Sequence, residues 1–197
     1  MDFFDRTNRT WLIDLFLDRN SKINLSAIRD ADGVWEKHIL DSLEITTRID
    51  LDDGLQALDL GTGGGFPLLP LATVYPNVQW TGIDARKKKV DVVNQMITTL
   101  WLQNVQAIWG RIEEHKGKYD LIVTRAVAYA DQLFSRALPH LRPGGLLAMY
   151  KMFTSEEDET ILSLMRQYKL QPVAIHHYRL AHDLPEVQRV LYVLQKG

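Results

Sequence analysis

Four glycines within five positions, Gly61, Gly63, Gly64 and Gly65, followed by Phe66 and Pro67, are the residues best suited by type to cradle a ligand. Glycine lets the backbone turn sharply and leaves no Cβ to block close approach. The apolar run Leu55, Ala57, Leu58 and Leu60 before them reads as a buried parallel strand. Pro67 reads as the first turn of a helix, so free amides at that helix start are expected to point back at the turn. Strand, glycine turn and helix together make a nucleotide-type site.

The dinucleotide spacing G-x-G-x-x-G fits badly, because Phe66 stands where glycine or alanine is needed. The spacing is D-x-G-x-G-x-G instead. Asp59 in that pattern would oppose a pyrophosphate but suit S-adenosylmethionine, which carries an ammonium and a sulfonium. Val78 to Asp84 reads as a second strand ending in an acid, the position from which a carboxylate reaches ribose hydroxyls; the alternative is that Asp84 only caps the next helix.

Other candidates sit at further strand ends. Arg125 directly follows the buried run Tyr119 to Thr124 with no neighbouring acid in sequence, which favours a functional arginine over a surface one. Lys151 ends the next strand, either as a substrate contact or as a snorkelling end residue. Glu113 and Glu114 follow the third strand and suit a helix start equally well. Lys37, His38, Asp41 and Ser42 share a helix face, where a hydrolytic triad is not implied and an active-site role competes with a structural one. Arg86 to Lys89 put four cations at a helix N-terminus, opposed by the dipole at about 0.3–1 kcal/mol, unless phosphates offset them.

These residues need a frame, and the chain supplies regular alternation. After the glycine turn come a helix (66–75), a strand (78–84), a helix (87–102), a strand (105–109), a strand (119–124), a helix (130–141) stopped by Pro143-Gly144-Gly145, a strand (146–150) and a helix (155–168). Two closing strands, 173–178 and 187–194, are joined by a hairpin-like connection. The expectation is an α/β class, a doubly wound seven-stranded Rossmann-like sheet, whose closing strand pair resembles the methyltransferase variant in which the last strand enters antiparallel. Ahead of it, residues 1–50 read as a helical extension packed on a domain spanning 51–197. Its first helix would bury Phe4, Trp11, Leu12, Leu15 and Phe16, and its second would start after an Asp32 cap and bury Val34, Trp35, Ile39, Leu43 and Ile45.

The blocks Asn24 to Asp30, Lys37 to Leu43, Leu58 to Pro67, Gly110 to Glu114 and Thr124 to Ala128 resemble, in order, the ribosomal RNA small-subunit methyltransferase G family, also called glucose-inhibited division protein B. The resemblance implies S-adenosylmethionine as cofactor and N7 of one guanosine of 16S rRNA as acceptor; because the chain is not strongly basic, that rRNA is expected to be met within a 30S particle or assembly intermediate. It places Gly61, Gly63, Gly65, Phe66, Asp84, Ile112, Glu113 and Arg125 around the cofactor, and Arg125, Lys151, Lys37 and His38 toward substrate. No acid or base and no metal is implied, since N7 already carries a free lone pair. Departures from the family pattern are Gly64, read as harmless, Leu68 in place of a frequent glycine, and Met152 after Lys151.

Composition narrows the class. The 197 residues are 46% hydrophobic and 24% charged, contain no cysteine, and carry a net charge of -2, so disulfides and thiolate metal sites are excluded and bulk coating of nucleic acid is disfavoured. No apolar run reaches membrane-span length and M-D-F-F-D-R lacks signal-peptide features, so a cytoplasmic protein is expected, with a monomer favoured. Three alternatives remain: a methyltransferase for a small molecule or protein, a non-catalytic nucleotide-binding regulator, and an NAD enzyme. An Arg125→Ala variant is expected to lose methylation with its fold intact.

Overall fold

The computed structural model describes residues 6–125 and 129–197. Seven strands, β1 (Gln56–Leu60), β2 (Gln79–Asp84), β3 (Val105–Trp109), β4 (Tyr119–Arg125), β5 (Leu141–Met152), β6 (Leu170–Tyr178) and β7 (Arg189–Lys196), form one sheet in the order β3-β2-β1-β4-β5-β7-β6. The first five run parallel, and β7 lies antiparallel between β5 and β6. This is the expected methyltransferase-type sheet, reversed at the β1/β4 switch point where open α/β sheets bind ligands. The helices on its faces are α4 (Leu68–Val74), α5 (Lys87–Thr99), α6 (Ala130–Ala137) and α7 (Ser155–Gln167).

Boundaries shifted where turn residues lie inside elements. Pro143, Gly144 and Gly145 do not follow a helix; they lie within the long β5, and the preceding helix ends at Ala137 before a short 3₁₀ turn. Helix α4 is shorter than expected because Pro67 is its cap rather than its first residue. Pro70 is tolerated at its third position, where the missing N–H has no partner within the helix.

The N-terminal segment packs into the same core as one face of the sheet. Helix α1 (Arg6–Ile23) buries Leu12, Ile13 and Phe16, whereas Trp11, expected on that face, is exposed. Phe4 lies outside the described residues. The second helical rod, 31–47, is capped by Asp30 rather than Asp32: the Asp30 carboxylate accepts the Gly33 N–H at 2.7 Å. Between α2 (Ala31–Val34) and α3 (Asp41–Leu43) the rod opens into a wide π-helical stretch, Trp35–Leu40, and the Asp41 N–H reaches back to the Glu36 carbonyl. This stretch carries His38 and leads into Asp41. Val34, Ile39 and Ile45 anchor the rod in the core, and the Arg9 guanidinium sits 4.0 Å over the Trp35 ring.

Gly82, in the middle of β2, explains how the glycine turn can lie so close to the sheet. A Cβ there would fall 2.6 Å from Leu68 Cδ2 and 3.1 Å from two carbons of Thr62. A Gly82→Ala variant should therefore lose about 1–3 kcal/mol of stability in urea denaturation, because Thr62 and Leu68 must both retreat. A loss below 0.5 kcal/mol, or about that, would mean the turn rides loosely on β2.

Candidate functional site

A cavity of about 470 Å³ opens at the carboxyl ends of β1, β2, β3 and β4. That volume suits a nucleotide-sized molecule. Its floor is the glycine turn, which leaves β1 with Gly61 at φ 79° and Gly63 at φ 55°. Both are left-handed conformations that a side chain would strain. A Cβ on Gly63 would have only the Gly61 carbonyl within 4 Å, and one on Gly110 nothing, so both backbones face the cavity bare. Gly65, also in a left-handed conformation at φ 93°, lies outside the cavity wall and turns the chain into α4: a Cβ there would meet Leu69 Cδ1 at 2.7 Å.

Asp84 ties the turn to the neighbouring strand. One carboxylate oxygen accepts the Gly63 N–H at 2.9 Å and the other accepts the Arg86 N–H at 2.8 Å, while Asp84 also lines the cavity. It therefore shapes the turn and still offers acceptor lone pairs to a ligand hydroxyl. The cap of α5 is Arg86. An Asp84→Ala variant should bind S-adenosylmethionine about 10- to 100-fold more weakly by calorimetry, since a charged acceptor and the support of Gly63 are lost together. Unchanged affinity would remove Asp84 from the ligand wall.

Asp59 behaves otherwise than the sequence suggested. It is fully buried beneath the turn, absent from the cavity wall, and accepts the Leu68 N–H at 3.2 Å. That bond takes one of the amides expected to face the ligand. Burial pushes its carboxyl up to about 7, against the smaller opposing pull of its hydrogen-bonding neighbours and Arg125. An ammonium or sulfonium in the cavity does not meet it directly.

Apolar walls come from Leu60, Ile83 and Ile112, and Ile112 begins a 3₁₀ turn, Ile112–Glu114, that also brings Glu113 to the rim. Glu113 pairs with Arg136 of α6 at 3.0 Å. Sequence reading missed Arg136 and Leu25 and took Phe16 only as packing; Phe16 and Leu25 close the side of the cavity nearest Gly64. A Cβ on Gly64 would press to 3.2 Å from Phe16 Cε2 and 3.3 Å from Leu25 Cβ, so these side chains fit against a bare glycine.

The remaining wall is a cluster built on Arg125 at the end of β4. Its guanidinium donates to the Lys37 carbonyl at 2.9 Å, to Asp41 Oδ2 at 3.0 Å and to His38 Nδ1 at 3.0 Å. A guanidinium can only donate, so Nδ1 is an acceptor and the His38 proton sits on Nε2, which donates to Ser26 Oγ at 2.8 Å. The His38 ring stacks on Phe66 with centroids 4.7 Å apart. Burial, reinforced by the charge of Arg125, pushes His38 down to about 3, so it is neutral near pH 7. Asp41, only 2% exposed, also accepts the Tyr178 hydroxyl at 2.8 Å and lies 3.5 Å from Arg189 Nη1. Arg189 in turn grips Asp183 through two bonds of 2.8 and 3.0 Å.

Of the residues singled out from sequence, Gly61, Gly63, Phe66, Asp84, Ile112, Glu113, Arg125 and His38 line this one cavity. Lys37 contributes its carbonyl to Arg125 and exposes its side chain. Lys151 lies outside the wall, paired with Glu157 of α7 at 2.7 Å. Ala126 to Ala128 lie outside the described residues.

The family model for rRNA small subunit methyltransferase G (GidB) matches residues 9–183, a span that includes the glycine turn, Asp84 and the Arg125 cluster. The chain belongs to that family. A family protein of Deinococcus deserti, a ribosomal RNA small subunit methyltransferase G, is 42% identical over 153 residues, covering 75% of this chain and 63% of its own length. Another, from Phocaeicola vulgatus, is 33% identical over 199 residues, covering 98% of this chain and 92% of its own. The chain thus spans between 60% and 66% of the first four relatives matched. Among solved structures, P. horikoshii TYW2 in complex with MeSAdo superposes with a TM-score of 0.64 at 16% identity, covering 80% of this chain and 62% of that one. At that identity the likeness establishes the fold. No helix among the described residues is long and apolar enough to cross a membrane.

Proposed function

We propose that this chain transfers the methyl group of S-adenosylmethionine to N7 of a guanosine in 16S rRNA. The observation that carries the reading is the cavity itself: bare glycine backbone at Gly61 and Gly63, the Asp84 carboxylate on one side and aliphatic side chains at the strand ends. Ribose hydroxyls would meet Asp84, and the purine would lie against Ile83 and Ile112, with Glu113 at its edge. Bound there, the cofactor supplies an electrophilic methyl group on a sulfonium.

Little else is needed from the protein. N7 attacks with a lone pair it already has, so no proton must leave first. His38 matches that requirement, because its two ring nitrogens are engaged by Arg125 and Ser26 and burial keeps it neutral. The contribution of this wall is to fix positions and exclude water, effects that together amount to several kcal/mol in aligned displacements. The family membership supports an rRNA acceptor, and the modest net charge of -2 favours a substrate already organised within a 30S particle or assembly intermediate. Lys37, exposed beside the cluster, is the cation proposed to meet that substrate, and Lys151 is proposed to do so only by leaving its pair with Glu157.

The test is to incubate the purified chain with methyl-labelled S-adenosylmethionine and either 16S rRNA or 30S particles from a strain lacking the protein, then digest and identify the labelled nucleoside. Labelled 7-methylguanosine is the expected product. Cofactor binding with no label in either RNA would overturn the acceptor and leave small molecules or proteins to be tried.

A further inference from the structure

Trp109 closes edge strand β3 and is 59% exposed, although most of the large aromatic side chains among the described residues are better covered. Its indole N–H donates to the Ala85 carbonyl at 3.2 Å. The polar atom is thereby satisfied and the ring fastened, with its surface left open to solvent. Asp84 is its register partner on β2, and the residues two positions beyond each member of that pair, Arg86 and Arg111, reach the cavity wall while Trp109 does not. The ring therefore sits just past the cavity rim.

The charges around it are arranged against local stability. Arg86, Lys87, Lys88 and Lys89 open α5 with no acid in its first turn, where the helix dipole opposes cations. Lys87 finds Asp91 at 2.8 Å, but among the described residues Arg86, Lys88 and Arg111 have no carboxylate within 4.0 Å. The acids nearest in sequence are engaged elsewhere: Asp84 accepts the backbone amides of Gly63 and Arg86, Asp91 pairs with Lys87 and Glu113 with Arg136. A chain of net charge -2 thus carries three cations without carboxylate partners among the described residues on the segments that directly follow β2 and β3, the latter strand ending in an exposed aromatic ring fastened to the Ala85 carbonyl. That combination is the footprint of single-stranded nucleic acid, whose bases stack on aromatic faces while flanking phosphates meet cations.

We propose that Trp109, with Arg86, Lys88 and Arg111, forms a platform at the β3 edge of the cavity, on which an unstacked base of the RNA lies as the strand runs on from the nucleotide presented to the cavity. This rests on the reading that the acceptor is RNA. Trp101 provides an internal contrast: it is 76% exposed but precedes β3, at the opposite end of the sheet from the cavity.

Binding of the full chain to 16S rRNA, to fluorescein-labelled oligoadenylate and to an abasic oligonucleotide of equal length tests the platform. Trp109→Ala should weaken binding to both base-bearing RNAs by about five- to 100-fold and leave the abasic strand unaffected. Trp109→Phe should stay within about threefold of the parent, Trp101→Ala should match it, and Lys88→Gln should reduce the log–log salt slope by about 0.7. S-adenosylmethionine affinity should be the same in every variant. Equal affinity of Trp109→Ala and parent for the base-bearing RNAs, or an equal loss on the abasic strand, would overturn the platform. If the parent methylates rRNA while Trp109→Ala binds it normally, only the platform falls; if the parent neither binds nor methylates RNA, the proposed acceptor falls and takes the platform with it.

Discussion

Arg125→Ala should destabilise the protein by about 3–5 kcal/mol in urea or guanidinium denaturation, the cost typical of removing one partner from a buried ion pair. Asp41 is 2% exposed and Arg125 is its nearest cation at 3.0 Å; Arg189 stands farther off at 3.5 Å, already engaged by Asp183. The same guanidinium holds the Lys37 carbonyl and His38 Nδ1 and lies 5.9 Å from the centre of the Phe66 ring. Its loss would strand a carboxylate and unpin one wall of the cavity together. Methyl transfer, measured at a temperature where the variant is still folded, should fall by about tenfold or more, because a loosened wall costs alignment. Arg125→Lys should recover stability only in part, since an ammonium cannot span three acceptors set out for a planar fork. A stability change under about 1 kcal/mol in Arg125→Ala would show that Arg189 and Tyr178 suffice for Asp41. The expectation of an intact fold, reasonable for an arginine with no acid beside it in sequence, is thereby revised.

Difference curves of stability against pH for His38→Gln and Asp59→Asn should slope in opposite directions. An unfolded histidine takes up its proton near pH 6.5, but folded His38 resists until about pH 3, so its contribution is complete above pH 6.5 and is lost as pH falls through that window. Asp59 is the reverse case. Unfolded, it ionises near pH 3.8, whereas folded it keeps its proton to about pH 7, so its contribution is complete below pH 3.8 and is lost as pH rises to 7. Between pH 4 and 6.5, roughly, the two offset each other in the parent. Asparagine at 59 retains an acceptor for the Leu68 N–H without an ionisable proton, so Asp59→Asn should gain stability from pH 5 to pH 8 relative to the parent, by about a few kcal/mol. Glutamine at 38 can still accept from Arg125 and donate to Ser26, so His38→Gln should lose the acid-side decline. Chemical denaturation across that range decides it; two variants with the parent's slope would mean that neither group changes its proton affinity on folding.

Legibility in the sequence followed locality. The glycine turn and Asp84 were readable because adjacent parallel strands bring a turn and an acid 21 residues apart into one hydrogen bond. The closing pair of strands was readable as antiparallel because only a short connection joins them. Asp59 was misplaced because Ala57 to Leu60 are all buried, and a strand covered on both faces gives no alternation to say which way a side chain points. Arg125 and Asp41 are separated by 84 positions, a partnership no local pattern announces. Glu157 was visible six residues after Lys151, but within S-E-E-D it reads as an acid at a helix start; in fact it takes both the Lys151 ammonium and the Ala130 N–H.

The wide π-helical stretch at Trp35–Leu40 lets its rod absorb a change of chain length. An open turn of this kind accommodates one residue more than a regular α-helix would. Deleting a single residue there would let the rod close into ordinary α-helix with its downstream face nearly unchanged, whereas the same deletion in a regular α-helix would swing everything beyond it by about 100° around the axis. Asp41 would then still face the guanidinium it now meets. Homologous chains whose lengths differ by one across this segment are therefore expected to keep the same carboxylate support for the arginine.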